Sequence, residues 1–139
     1  MTDKQMKEKA ITIKQPYAHL ICEGIKDIEN RTWKTYYRGR VYIHSSGSQG
    51  RKFKIALTED QMMAAFGSIA SKAIDGYLSF GAIIGYVEIV DCVKNYPSIW
   101  SLPDHYHWVL RNPIIFDKPI LNVKGNLSFW NCSEYLKLK

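Results

Sequence analysis

ITIKQPYAHLICEGIKDIENRTW, residues 11–33, changes its structural period twice. The β-branched run over residues 10–15 reads as a strand. Pro16 suits the first position of a helix, Tyr17, Leu20 and Ile21 supply one apolar face, and Gly24 suits the position just past the helix end. That leaves a helix of about two turns. Residues 27–33 then read as a second strand. Side chains alternate along a strand, so Glu29, Arg31 and Trp33 share one side, with Lys26 at the turn before them.

The rest of the chain extends this β reading. RVYIHSS (40–46) alternates in the same way, Val41 and Ile43 on one face and Arg40, Tyr42 and His44 on the other. GSQGR (47–51) reads as a loop. Thr58 and Gln61 have the form of a capping box, and Met62, Phe66, Ile69, Ala70, Ala73 and Ile74 keep a helical period toward Gly76. GAIIGYVEIVDCV (81–93) is the strongest strand signal, its glycines marking a bulge or bend. HWVLRN (107–112) and LSFW (127–130) complete the set. Five or six short strands with two helices predict a mainly β, α+β domain curled into a small barrel. One short helix follows the first strand, and an inserted helix near 58–75 is expected to pack outside. A doubly wound sheet is excluded, because helices do not alternate with strands. Residues 1–9 are expected to be a flexible polar tail, and residues 10–139 a single domain.

Charge and composition narrow the function classes. The net charge is +6, concentrated at the two ends: residues 1–54 carry 12 basic against 5 acidic groups, whereas residues 55–110 carry 2 against 6. A basic face of this kind attracts phosphate, although a merely soluble basic protein has the same balance. Cys22, Cys92 and Cys132 are widely spaced and odd in number, which fits neither a disulfide framework nor a metal knuckle. The start MTDKQMKEKA has no apolar core of a signal peptide, and the longest apolar run, 80–87, is too short to span a bilayer. A cytoplasmic location without membrane association is expected, and no cofactor is expected.

Three constellations are candidates for a site. Gly24-x-Lys26-x-x-Glu29-x-Arg31 places a carboxylate beside a guanidinium, with a lysine as a second charge. That combination suits phosphate or a polar base edge. The same spacing also serves an exposed ion pair, worth at most about 1 kcal/mol. Among the aromatics, Tyr17, Trp33, Tyr42, Trp108 and Trp130 are candidates for stacking an unpaired base, Tyr17 and Trp33 lying nearest the charged segment. Most aromatics of so small a domain are nevertheless needed in its core. His44, projecting with Arg40 from the strand next in sequence, is placed to reach the same cleft as hydrogen-bond partner or acid–base group. Asp104, His105 and His107 offer two imidazoles and a carboxylate, but no third histidine is near and no metal site is assigned. Glu88, inside an apolar run, either bonds a cleft lysine or points to solvent.

The segments 11–33, YRGRVYIHSS, GAIIGYVEIVDC, HYHWVLRNPIIFDKPI and KGNLSFW together resemble the ASCH family, with its signature Gly-x-Lys-x-x-Glu-x-Arg complete at residues 24–31. The resemblance covers roughly residues 10–132. It implies a small PUA-like β-barrel with a cleft lined by the signature, and recognition of RNA or nucleotides. The resemblance further implies a choice of activities. One is a binding module for single-stranded RNA or a nucleotide at the signature residues Lys26, Glu29 and Arg31, to which the reading of the strands and aromatics adds Trp33, Tyr17, Arg40 and His44. Another is an amidohydrolase of acetylated cytidine, with Lys26 and Glu29 catalytic. That small branch carries threonine where this chain has Glu29, whose carboxylate is expected to keep Lys26 protonated. A ribonuclease and a protein-interaction adaptor are the remaining readings.

Overall fold

β-Branched and aromatic residues at alternating positions build a single curled sheet in the computed structural model, which describes residues 8–47, 56–65 and 78–137. In chain order the elements are β1 (Lys9–Ile13), α1 (Tyr17–Cys22), β2 (Ile28–Arg31), β3 (Gly39–Ser45), helix α2 with described residues 59–65, β4 (Ala82–Val93), β5 (Tyr106–Ile120), β6 (Trp130–Asn131) and α3 (Ser133–Leu136). The sheet order is β2-β5-β4-β3-β1-β6. Pairing is antiparallel except between β1 and β3, which run parallel with Ala10 opposite Tyr42. The Arg31 guanidinium on β2 donates to the Thr12 carbonyl of β1 at 3.0 Å, although three strands separate β2 and β1 in the sheet. The sheet is therefore bent into a half-barrel, and the mainly β architecture predicted for the chain is the one observed.

Inward positions of every long strand fill the concave side. Ile11, Ile13, Val41, Ile43, Val87, Ile89, Trp108 and Leu110 form one cluster with Ala18, Ile21 and Cys22 of α1. On its other flank, α1 packs Leu20 against Ile28, Val109 and Trp100. The helix is thus held between the sheet and the chain that follows it. Gly85 lies beside a register shift of β4, as the glycine pattern suggested; a Cβ there would collide with the Ile114 carbonyl and the Cys22 sulfur.

Several boundaries differ from expectation, for reasons of packing. Pro16 is the N-cap of α1 and not its first residue. β2 ends at Arg31, because β5 offers it partners only over Tyr106–Val109. β5 continues through Pro113 to Ile120, well past residue 112. Beyond Val109 it pairs with β4 alone, and an edge tolerates a residue without an N–H. The last strand is Trp130–Asn131, leaving 127–129 in a loop. The capping box of α2 forms reciprocally, with Thr58 N bonding Gln61 Oε1 at 3.1 Å and Gln61 N bonding Thr58 Oγ1 at 3.2 Å. The expected remainder of that helix, 66–75, and residues 1–7 of the tail expected over 1–9 lie outside the described residues; Lys9, expected in that tail, is instead buried as the first residue of β1, paired with Asn131.

Candidate functional site

The charged segment is positioned by the way α1 ends. Glu23 is the C-cap, and Gly24 takes the left-handed conformation with φ +80°. Gly24 N bonds Ile21 O at 3.1 Å and Ile25 N bonds Leu20 O at 3.0 Å, the double closure of a Schellman motif. Leu20 and Ile25 meet in one apolar cluster, as that motif favours. Lys26 N bonds Leu20 O as well, at 3.1 Å, so the backbone of Lys26 is fixed before β2 begins. A Cβ at Gly24 would also press on Pro113 Cγ at 3.1 Å.

Lys26, Glu29 and Arg31 then converge. Lys26 Nζ donates to the Ile28 carbonyl at 2.6 Å and to Glu29 Oε1 at 3.3 Å. Arg31 donates through Nε to Glu29 Oε2 at 3.0 Å, and its Nη2 forms an ion pair with the same oxygen at 2.9 Å. Among the described residues the Arg31 Nη1 group has no protein acceptor, which leaves an N–H edge available. Lys26 is only 4% exposed. Burial pulls its ammonium below the ordinary lysine value, and the Glu29 charge and hydrogen bond oppose that pull without cancelling it. Glu29, expected to keep Lys26 protonated, is in contact with its ammonium and favours the charged form against burial.

These three side chains form one wall of a cleft of about 660 Å³. Tyr17 and Trp33, both half-buried, supply aromatic surface, and Lys14 supplies exposed charge. Lys26 Nζ lies 5.8 Å from the Tyr17 ring centre. Trp33 is anchored edge-on against Trp108 and Phe129, with centroids 4.7 and 5.8 Å away. Its ring is therefore fixed in place, not free to swing.

The opposite wall was not foreseen. Asn30 donates to the Trp100 carbonyl at 2.9 Å and accepts from Leu102 N at 3.0 Å, which fastens the 96–102 loop to β2. Ser98 Oγ reaches Asp27 Oδ1 at 2.6 Å, and the Trp100 indole N–H reaches the Ile25 carbonyl at 3.1 Å. Gln61 of α2 donates to the Ile99 carbonyl at 2.7 Å, so the N-terminal turn of that helix lies against the cleft. Trp100, Leu102, Thr58 and Gln61 all line the space. The capping box was the only sequence signal for this wall.

The remaining candidates, His105 apart, lie elsewhere. Arg40 is exposed, stacked 4.0 Å over the Tyr86 ring, and does not line the cleft. His44 is buried, bonding Thr12 Oγ1 at 3.1 Å and the Val123 carbonyl at 2.7 Å, also outside the cleft. β3, which carries both, is separated from β2 in the sheet by β5 and β4. Tyr42, Trp108 and Trp130 are buried in the core. His105 lines the cleft, whereas His107 is buried and bonds the Leu102 carbonyl at 2.7 Å. Glu88 faces Arg40 and Arg111 across the sheet ladder and does not line the cleft. Among the described residues no cluster of three or more histidine, cysteine or acidic side chains is arranged to hold a metal. No helix among them is long and apolar enough to cross a membrane.

A half-barrel of six strands, with a charged and aromatic cleft at the seam between β1 and β2, is consistent with a small PUA-like β-barrel domain. The ASCH domain model matches residues 11–120, and the chain belongs to the ASCH domain family. Two curated relatives are similar over 132 aligned residues, 86% of this chain: activating signal cointegrator 1 of Mus musculus, 27% identical, and of Homo sapiens, 26% identical. The alignment covers 21% of each relative, so the chain spans about a fifth of the length of these proteins.

Proposed function

We propose that the domain binds single-stranded RNA or a nucleotide in the cleft between β1 and β2. The observation that carries this reading is the Lys26–Glu29–Arg31 network, held rigid beside two aromatic rings. Arg31 keeps a free N–H edge for a base or phosphate oxygen, and Lys14 adds unburied charge. Tyr17 and Trp33 offer faces to an unstacked base, and single strands expose such bases. Membership of a family with coactivator-type relatives fits a nucleic-acid-binding or interaction module. Arg40 and His44, off the cleft, are not needed for this role.

The test is titration of labelled single-stranded RNA against the wild type and the variants Arg31→Gln, Tyr17→Leu and Lys14→Ala at several salt concentrations. Lys14→Ala is expected to reduce the log–log salt slope by about one, as one phosphate contact is lost. Tyr17→Leu is expected to weaken binding by about 1 kcal/mol or more without changing that slope. Equal affinity for all four proteins would overturn the reading. N4-acetylcytidine belongs in the same assay, because Lys26 lines the cleft and is the group an amidohydrolase of this kind would use as its base. Its deacetylation, lost in Lys26→Met, would replace the binding reading with an enzymatic one.

A further inference from the structure

A second cavity, of about 530 Å³, shares Thr12 of β1 with the cleft. Its floor is a directional chain of hydrogen bonds. The Trp130 indole N–H, which can only donate, reaches Thr12 Oγ1 at 3.2 Å. The Thr12 hydroxyl donates to His44 Nδ1 at 3.1 Å, and His44 Nε2–H donates to the Val123 carbonyl at 2.7 Å. Val123 N is tied to the Gly81 carbonyl at 2.8 Å. The loop that follows is seated directly on this chain: a Cβ at Gly125 would come within 2.6 Å of Thr12 Oγ1 and 2.9 Å of His44 Nδ1.

That firmly seated loop presents an unusual surface. Leu127 is 94% exposed, the most exposed of the large apolar side chains described, and Ser128 beside it holds φ +56°, a conformation that only glycine adopts without strain. Lys124 and Leu127 both line the cavity, and Lys14 lines the adjoining cleft. An apolar side chain and two lysines therefore line a pair of cavities that share Thr12. A free nucleoside fills only one cavity. An alternation of flat apolar surface with positive charge matches the alternation of base and phosphate along a strand.

Building on the RNA reading of the cleft, we infer that the second cavity is a subsite for the neighbouring nucleotide. The ligand is then a single-stranded RNA of two or more nucleotides that crosses the edge of β1 at Thr12. One base sits against Tyr17 and Trp33, the next packs on Leu127, and the connecting and following phosphates face Lys14 and Lys124.

The experiment measures binding of mixed-sequence RNA of one, two, three and six nucleotides to the wild type, Leu127→Ser and Lys124→Ala. Both substituted side chains are exposed, so the fold is left intact. Affinity is expected to rise at least about tenfold from one nucleotide to three, since stacking and phosphate contacts both increase. Leu127→Ser and Lys124→Ala are expected to weaken the trinucleotide about three- to tenfold and leave the mononucleotide unchanged. Equal affinity for one and three nucleotides, with both variants silent, overturns the subsite and leaves the cleft reading intact. Absence of binding at every length overturns both.

Discussion

Glu29 divides its carboxylate between two cations of different kinds. Oε1 is 3.3 Å from the Lys26 ammonium, and Oε2 is 2.9 Å from the Arg31 guanidinium. Arg31 in turn closes the half-barrel through the Thr12 carbonyl. The carboxylate therefore supports both the cleft and the seam of the sheet, and its side chain is only 12% exposed. Removing it leaves a buried lysine with the Ile28 carbonyl as its remaining acceptor among the bonds that hold it.

Glu29→Gln is accordingly expected to lower stability by about 2 kcal/mol, since hydrogen bonds to charged groups in buried settings carry such values. Urea denaturation at neutral pH measures it. A loss below about 0.5 kcal/mol would show that the network behaves as an ordinary solvated surface pair.

Gly24 makes a separate, purely conformational contribution. Gly24→Ala places a Cβ in the left-handed region and against Pro113, so a loss of about 1–2 kcal/mol is expected. Gly24→Asn is expected to cost less, because asparagine tolerates this conformation better. Equal costs for the two would assign the effect to the Pro113 contact and not to the backbone.

The buried ammonium of Lys26 gives a pH signature. Its folded pKa lies below 10.5, the ordinary lysine value that applies when the chain is unfolded. Between the folded value and 10.5 the unfolded state binds more protons, so stability rises with pH across that window. Cys132 acts in the opposite sense. Burial pushes its thiol from 9.0 up to about 12, so the unfolded chain ionises first and stability falls above pH 9. The two effects separate by difference: wild type minus Lys26→Met isolates the lysine. That difference in unfolding free energy is expected to grow toward pH 10.5, and a difference flat with pH would contradict the burial of Lys26.

Much of this was legible in the sequence, and what was not has a common cause. Strands announced themselves through β-branched alternation, and the Gly24 stop and the Thr58–Gln61 capping box are local features that local residues determine. The convergence of Glu29 and Arg31 followed from two-residue spacing on a strand. Arg40 and His44 were expected in the cleft because their strand comes next in sequence, but Arg40 stacks on Tyr86 and His44 turns to the Val123 carbonyl, neither of which lines it. The Trp100 and Leu102 wall depends on Asn30 and Asp27 reaching residues about 70 positions away. No local pattern encodes such a pairing. Strand ends were misjudged where they depend on how far a neighbour extends, as with β5 beyond Pro113.

His44 provides the last prediction, and its sign follows from the direction of the hydrogen bonds around it. Nε2–H must donate, because it faces the Val123 carbonyl, so Nδ1 is the acceptor for Thr12 and carries no proton. A second proton at Nδ1 would require the Thr12 hydroxyl to turn from donor to acceptor beneath Gly125. Burial accordingly holds the imidazole below its ordinary value of 6.5, and the Val123 hydrogen bond only partly offsets this. Between the folded value and 6.5 the unfolded chain binds the extra proton and the folded chain does not. Stability is therefore expected to fall as pH drops from 6.5 toward that folded value, and to level off below it. His44→Leu is expected to be less stable overall, having lost both bonds, but to lack this part of the acid dependence. Urea midpoints for the two proteins between pH 8 and pH 5 measure the difference, and hydrogen exchange at Val123 and Lys124 reports on the loop itself. In the wild type those amides are expected to lose protection across the same interval. Parallel pH profiles for wild type and His44→Leu, with protection of the loop unchanged by acid, would mean that the imidazole does not hold the loop in place.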